Sequence, residues 1–354
     1  MCETRIPLPN DEKVLAVTGS VSLHVVRHLE SAAIILFAPV RLVIRLASPT
    51  AFTMQTHPIP DTKSNRRRFL RTAGLGLGAL GFASQAAFAA GETSFAKPSS
   101  IRLGTVTYNL AKDWDVPAII RNCEEAMFDG VELRTSHAHG VEVTLSPSQR
   151  QDVAKRFRDS KVELMGLGSA FDYHTPDQAR LRKDIDATKE YIVLAHDVGA
   201  RGVKVRPNAL PKEVPKEKTL EQIGKSLREL GEFGDSHGVQ IRLEVHGAET
   251  SLLPNIKTII DTANHPSVGV CWNSNQTDLA GEGFDHNFNL VKEKIFTVHM
   301  RDLFLEEYPF RKLLTRLNEI HFGGFCLAEI PESNDPVRVM KYFRGLFLAY
   351  QNLL

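Results

Sequence analysis

The amino-acid sequence predicts an α/β fold, a (β/α)8 TIM barrel, over residues 101–354. Three observations carry this. Eight β-branched runs recur, at 101–107, 130–134, 162–166, 202–206, 239–246, 268–272, 295–300 and 325–330, and a helix-like stretch follows each. The repeat fills about 255 residues, close to the ~250 that such a barrel uses. The runs also alternate between apolar and polar positions, whereas strands of a parallel sheet covered on both faces read as continuous apolar runs. A doubly wound open sheet is the alternative fold. An antiparallel sheet with one wet face alternates as well, but antiparallel neighbours are commonly joined by tight turns rather than helix-length connections.

Taken in order, the elements carry their own boundary signals. After the second run, Ser146-Pro147 precedes "SQRQDVAKRFRDS", a cap residue followed by proline at the first helical position. After the third, Thr175-Pro176 precedes "DQARLRKDIDATKEYIVLAHDVG" in the same arrangement. The sixth helix, placed near 288–293, has the weakest pattern. The eighth run leads into a final helix in "DPVRVMKYFRGLFLAYQNLL".

Upstream, residues 1–53 read as an extension outside the native chain, 54–89 as an export signal and 90–100 as a linker. The stretch "SNRRRFLRTAGLGLGALGFASQAAFAA" has a basic cluster, an apolar run and an Ala87-Phe88-Ala89 cleavage site. Arg66 to Leu70 match a twin-arginine signal, so the expected location is the periplasm and the export partner the twin-arginine translocase. The apolar run is too rich in Gly and Ala for a spanning helix, so no membrane span is expected after cleavage. Gly76 to Gly81 fit G-x-G-x-x-G, but no strand precedes them and the match is discarded. The polar lead from Met54 into the arginines makes Met54 a candidate native start beside Met1.

Residues 1–89 hold ten of the 43 basic and five of the 42 acidic residues, leaving a mildly acidic barrel. That balance argues against a nucleic-acid partner. Cys123, Cys271 and Cys326 form no C-x-x-C pair and read as small core residues. A small-molecule substrate is expected; association into a homo-oligomer is left open.

The alternation assigns directions. With Val131, Leu133, Val203, Val205, Leu243 and Val245 packed under the helices, the opposite face carries Glu132, Arg134, Lys204, Arg206, Arg242, Glu244 and His246. The later strands add Cys271, Asn273, His299, Arg301, Leu327 and Glu329 to it. In a barrel this face lines the lumen, with its charges near the C-terminal mouth where such folds place their sites. A buried carboxylate needs a partner or a metal.

The motifs "FDGVELR", "RLEVHG", "VHMRD" and "LAEIPES" resemble those of the xylose isomerase-like TIM-barrel superfamily of sugar isomerases and epimerases, over the whole of 101–354. The resemblance implies a divalent metal, Mn²⁺, Mg²⁺ or Zn²⁺, held by Glu244, Asn273, His299 and Glu329. Asn273 stands where the family usually has Asp, and Gln276 where it often has a substrate-touching His. An amide oxygen still ligates a hard cation, at lower affinity. The resemblance also implies that Glu244 and Glu329 are catalytic, moving a proton beside a carbonyl. Glu132, Arg134, His137, Lys204, Arg206, His246, Gln276 and Arg301 are the expected substrate contacts, with His139 and His174 as further candidates.

Four readings follow. A sugar isomerase or epimerase comes first, and a keto-glycoside lyase uses the same constellation. A periplasmic carbohydrate-binding barrel with a decayed metal site explains Asn273 and Gln276. An abasic-site endonuclease of the same superfamily needs a three-zinc cluster with a ligand on the third strand, where "ELMGLGSAF" offers none.

Overall fold

The computed structural model describes residues 99–354. The upstream extension, the export signal and nearly all of the linker lie outside the described residues. Eight strands close in chain order, each parallel to its neighbours, with the last returning to the first. The first half runs β1 (Arg102–Val106), α1 (Val116–Ala126), β2 (Gly130–Arg134), α2 (Pro147–Arg158), β3 (Glu163–Gly168), α3 (Gln178–Val198), β4 (Gly202–Val205) and α4 (Lys216–Asp235). The second runs β5 (Gln240–Glu244), α5 (Leu253–Ala263), β6 (Val268–Asn273), α6 (Phe284–Val291), β7 (Ile295–Met300), α7 (Phe310–Glu319), β8 (Phe325–Ala328) and α8 (Pro336–Tyr350). The eightfold barrel expected from the repeat is the fold. Among the described residues no helix is long and apolar enough to cross a membrane.

Helix starts follow the capping chemistry, with two corrections. At α2, Ser146 accepts from the Gln149 amide while the Gln149 side chain accepts from the Ser146 amide, and Pro147 opens the helix. At α3 the cap is Asp177 rather than Thr175, because its carboxylate accepts from both the Ala179 and Arg180 amides. Thr175 Oγ1 accepts from the Asp177 amide, one step upstream. The sixth helix begins at Phe284, four residues before the expected start. Phe284 and Phe288 stack at 6.0 Å and both rings pack against Trp272, which fixes the helix where both are buried.

The alternation works as read. Val131, Leu133, Val203, Val205, Leu243, Val245, Trp272 and Ile330 join the helices in the main core. A separate small cluster of Val106, Met165, Phe325 and Leu327 fills part of the lumen. Cys123, Cys271 and Cys326 are all buried as expected, with Cys271 beside His299. On β3 two glycines clear space for longer neighbours. A Cβ on Gly168 would lie 2.8 Å from Glu132 Oε1, and one on Gly166 would lie 2.9 Å from an Arg242 guanidinium nitrogen.

Candidate active site

Register brings the polar groups level. Asn273 on β6 pairs with His299 on β7, and Glu244 on β5 pairs with Cys271. Glu329 follows the last residue of β8, its amide donating to Met300 O at 2.9 Å. One ligand atom each from Glu244, His299 and Glu329 lie within 4.8 Å of one another. His299 Nδ1 is 3.9 Å from Glu244 Oε1 and 3.6 Å from Glu329 Oε2. Its other nitrogen, Nε2, sits 3.3 Å from Glu132 Oε1, close enough to attract but not aligned as a hydrogen bond. Both ring nitrogens are buried without a hydrogen-bond partner.

The carboxylates are not alike. Lys204 Nζ donates to Glu244 Oε2 at 2.7 Å, and Asn273 Nδ2 donates to Glu244 Oε1 at 3.1 Å. Burial would raise the Glu244 carboxyl, but Lys204 and His299 outweigh it and hold it at about 2. Burial likewise acts against the charge of Lys204, and Glu244 and Glu132 overcome it, so the ammonium holds its proton more tightly than usual. Glu132 is fully buried, yet His299, Lys204 and Arg242 keep it below the ordinary carboxylate range. His299 is pushed well above the usual imidazole range, since burial is outweighed by Cys271, Glu132 and Glu329. Glu329 is the most open of the three, its side chain 21% exposed against 4% for Glu244.

A cavity of about 270 Å³ opens over these groups, lined among others by Glu132, Lys204, Glu244, Asn273 and Glu329. Arg134, Arg206, His246 and Arg301 also line it. Tyr108 and Asn275 do too, although the sequence reading passed over them. Tyr108 continues the inward alternation of Val106 two residues past β1, a signal that was available. Asn275 gave no such signal; its Nδ2 donates to Val245 O at 2.6 Å from a turn beyond β6.

Two of the expected substrate contacts lie outside the cavity lining. Gln276 is exposed on that turn and donates to Glu307 O at 3.2 Å, outside the cavity lining. His137 is held by Thr107 Oγ1 at 3.0 Å and also falls outside it. His139 braces its own loop, bonding Arg134 O at 2.7 Å and accepting from the Val141 amide. His174 faces Asp172 at 3.1 Å. These loop histidines follow β2 and β3, but none of them lines the cavity. Arg242 forms no ion pair with the acids and acts on Glu132 only through its charge: it donates to Met165 O at 2.8 Å and to Gln240 Oε1, and burial pulls it down to about 10.

A family model described as the xylose isomerase-like TIM barrel matches residues 120–344. The chain belongs to the xylose isomerase-like TIM barrel family. Within this family it is 23% identical over 190 residues to an inosose isomerase from Bacillus velezensis, covering 53% of this chain and 66% of that protein, just under two thirds of its length. A zinc-bound IolI protein superposes with a TM-score of 0.60 at 18% identity, over 71% of this chain and 98% of the other. An L-ribulose 3-epimerase does so at 0.60 and 15%, over 71% and 95%. A 3-keto-D-glucoside 4-epimerase from E. coli gives 0.59 and 14%, over 71% and 99%. At these identities the structural likeness establishes the fold.

The divalent cation implied by the family motifs fits the residues present. A buried, unpartnered imidazole nitrogen faces two carboxylates, a hard and borderline donor set that suits Zn²⁺ or Mn²⁺. Lys204 is the counterweight, since its ammonium already neutralises one of those carboxylates.

Proposed function

We propose that this protein is an enzyme of the isomerase and epimerase type, moving a proton to or from a carbon beside a carbonyl of a sugar or keto-sugar. The convergence of Glu244, His299 and Glu329 within 4.8 Å under a small cavity carries the reading. Glu244, His299 and Glu329 would hold a divalent cation, with the Asn273 amide oxygen as a fourth donor after a flip of that amide. Such a cation, when bound, polarises the substrate carbonyl and stabilises the enediolate.

The chain's own groups divide the remaining work. Glu329, the more open carboxylate, is positioned to take the proton from a sugar in the cavity. Glu244 is the second proton-transfer group, but with its carboxyl held at about 2 it is a weak base until Lys204 moves from Oε2. Glu132 faces the imidazole from behind, 3.3 Å from Nε2, and Nδ1 faces Glu244 and Glu329; aligning that contact would give the hydrogen bond that metal-ligating histidines commonly donate to a carboxylate. The cavity, at about 270 Å³, falls just under the ~300–1,000 Å³ of drug-sized sites, which suits one monosaccharide.

Metal analysis combined with deuterium wash-in from heavy water tests this. Stoichiometric Mn or Zn, lost in Glu244→Gln and His299→Ala, together with deuterium entering a sugar beside its carbonyl, is the expected result. A protein that takes up no metal at any loading and exchanges no sugar would instead be a carbohydrate-binding barrel. The Lys204–Glu244 pair and the amide at Asn273 are the observations in favour of that second reading. We further propose export through the arginines at 66–68; replacing Arg66 and Arg67 with Lys should leave the protein inside the cell, and unchanged export would refute it.

A further inference from the structure

We infer that the substrate is an acidic sugar whose carboxylate is held by Arg134, Arg206 and Arg301 at the mouth of the barrel. The inference rests on the proton-transfer reading above for what happens to the sugar, but on separate groups for what binds it. The acids of the site are spoken for: Glu132 faces His299 at 3.3 Å, Glu244 is bonded to Lys204, and Glu329 faces His299. The guanidiniums are not. Among the described residues no carboxylate pairs with Arg134 or Arg206, and Arg301 has only Glu307 at 3.9 Å, the long edge of an ion pair.

Two of the three are nevertheless anchored. Arg134 lies with its guanidinium carbon 5.0 Å over the Tyr108 ring. Arg301 is pinned by its Nε donating to Ser274 O at 2.9 Å, which leaves Nη2 buried with no acceptor. Arg206 Nε is buried without an acceptor too. All three line the cavity that holds Glu244 and Glu329. A buried N–H of a cation left without an acceptor is costly, and a planar guanidinium fork matches a carboxylate bidentately. A neutral sugar would satisfy these donors only with hydroxyls, which leave the charge unmatched. A carboxylate at the end of the chain remote from the reacting carbons supplies both acceptors and charge.

Matched sugars test this. Deuterium wash-in is measured for D-fructose, D-fructuronate and D-fructose 6-phosphate, and binding of the carbonyl-free probe D-gluconate is measured by calorimetry at rising salt. D-Fructuronate is expected to exceed D-fructose in kcat/KM on the order of 10- to 100-fold, the value of one or two charge-assisted hydrogen bonds. That ratio should collapse in Arg206→Gln and in Arg134→Gln, and gluconate binding to the unaltered protein, which needs no variant to fold, should weaken with salt. If D-fructose exchanges as fast as D-fructuronate, the carboxylate inference fails while the proton-transfer reading stands. Preference for the phosphate ester also overturns it. Salt-sensitive gluconate binding without exchange of any sugar upholds the inference and sinks the proton-transfer reading.

Discussion

Lys204→Met tests whether the lysine and a metal compete for one carboxylate. Lys204 Nζ lies 2.7 Å from Glu244 Oε2, and the two side chains are only 7% and 4% exposed. Removing one partner of a buried pair strands the other charge at a cost of about 3–5 kcal/mol. In a domain of this size each kcal/mol moves the melting temperature by ~2–4 °C, so the chelator-treated variant should melt roughly 10 °C below the unaltered protein. Metal binding should move the opposite way. Two unit charges ~4 Å apart at an effective dielectric constant of ~20 interact by about 4 kcal/mol. Relief of even a third of that repulsion tightens a cation tenfold, since ~1.4 kcal/mol is one decade. Mn²⁺ titration by calorimetry, paired with melting curves at increasing Mn²⁺, reads both effects, because a ligand bound only by the folded state raises its stability with concentration. A variant that binds Mn²⁺ no better than the parent, or melts unchanged without metal, would refute the competition.

Three further outcomes are expected. Glu329→Gln should lower deuterium wash-in by ~10²–10⁴-fold with an unaltered circular dichroism spectrum, and retained exchange would remove Glu329 from the proton path. Asn273→Asp should tighten metal binding while destabilising the metal-free protein, because a carboxylate replaces an amide that now donates to Glu244 Oε1 at 3.1 Å; unchanged affinity in competition with a chelator would exclude residue 273 as a ligand. Behind Asn275, whose amide donates to it, burial pushes the Asp278 carboxyl up to about 8, against the Tyr308 hydroxyl that donates to it at 2.6 Å. Its folded value thus exceeds the unfolded value of ~3.9, so its stabilisation is complete below about pH 4 and is lost as pH rises through 8. Asp278→Asn should flatten that decline, by an amount on the order of several kcal/mol, in urea titrations from pH 4.5 to 9. Parallel curves for the two proteins would show Asp278 ionised in the folded state.

The fold was legible because two periods alternate along the chain, and period depends on sequence alone. Ser146-Pro147 gave α2 its start for the same local reason. The sixth helix was misplaced because the burial of Phe284 and Phe288 against Trp272 is a tertiary event. Alternation also gave the correct face for Glu132, Lys204, Glu244, His299 and Glu329. It carries no information about which inward group meets which across the lumen. Arg242 and Lys204 share the inward face with Glu244, and only the closed ring shows that Lys204 pairs with it while Arg242 bonds Met165 and Gln240. Loop residues fared worst, since no period governs them: Gln276 and His137 lie outside the cavity, while Asn275 lines it.

The bare wall made by Gly166 and Gly168 constrains what this barrel can become. Any side chain introduced there would collide with Glu132 or with Arg242 before reaching the centre. A nuclease-like expansion to several zinc ions, which calls for a donor from the third strand, would therefore have to push aside the end of the Glu132 or the Arg242 side chain as well as change residue identity. A donor brought in on a rim loop would leave the carboxylate behind the imidazole where it is.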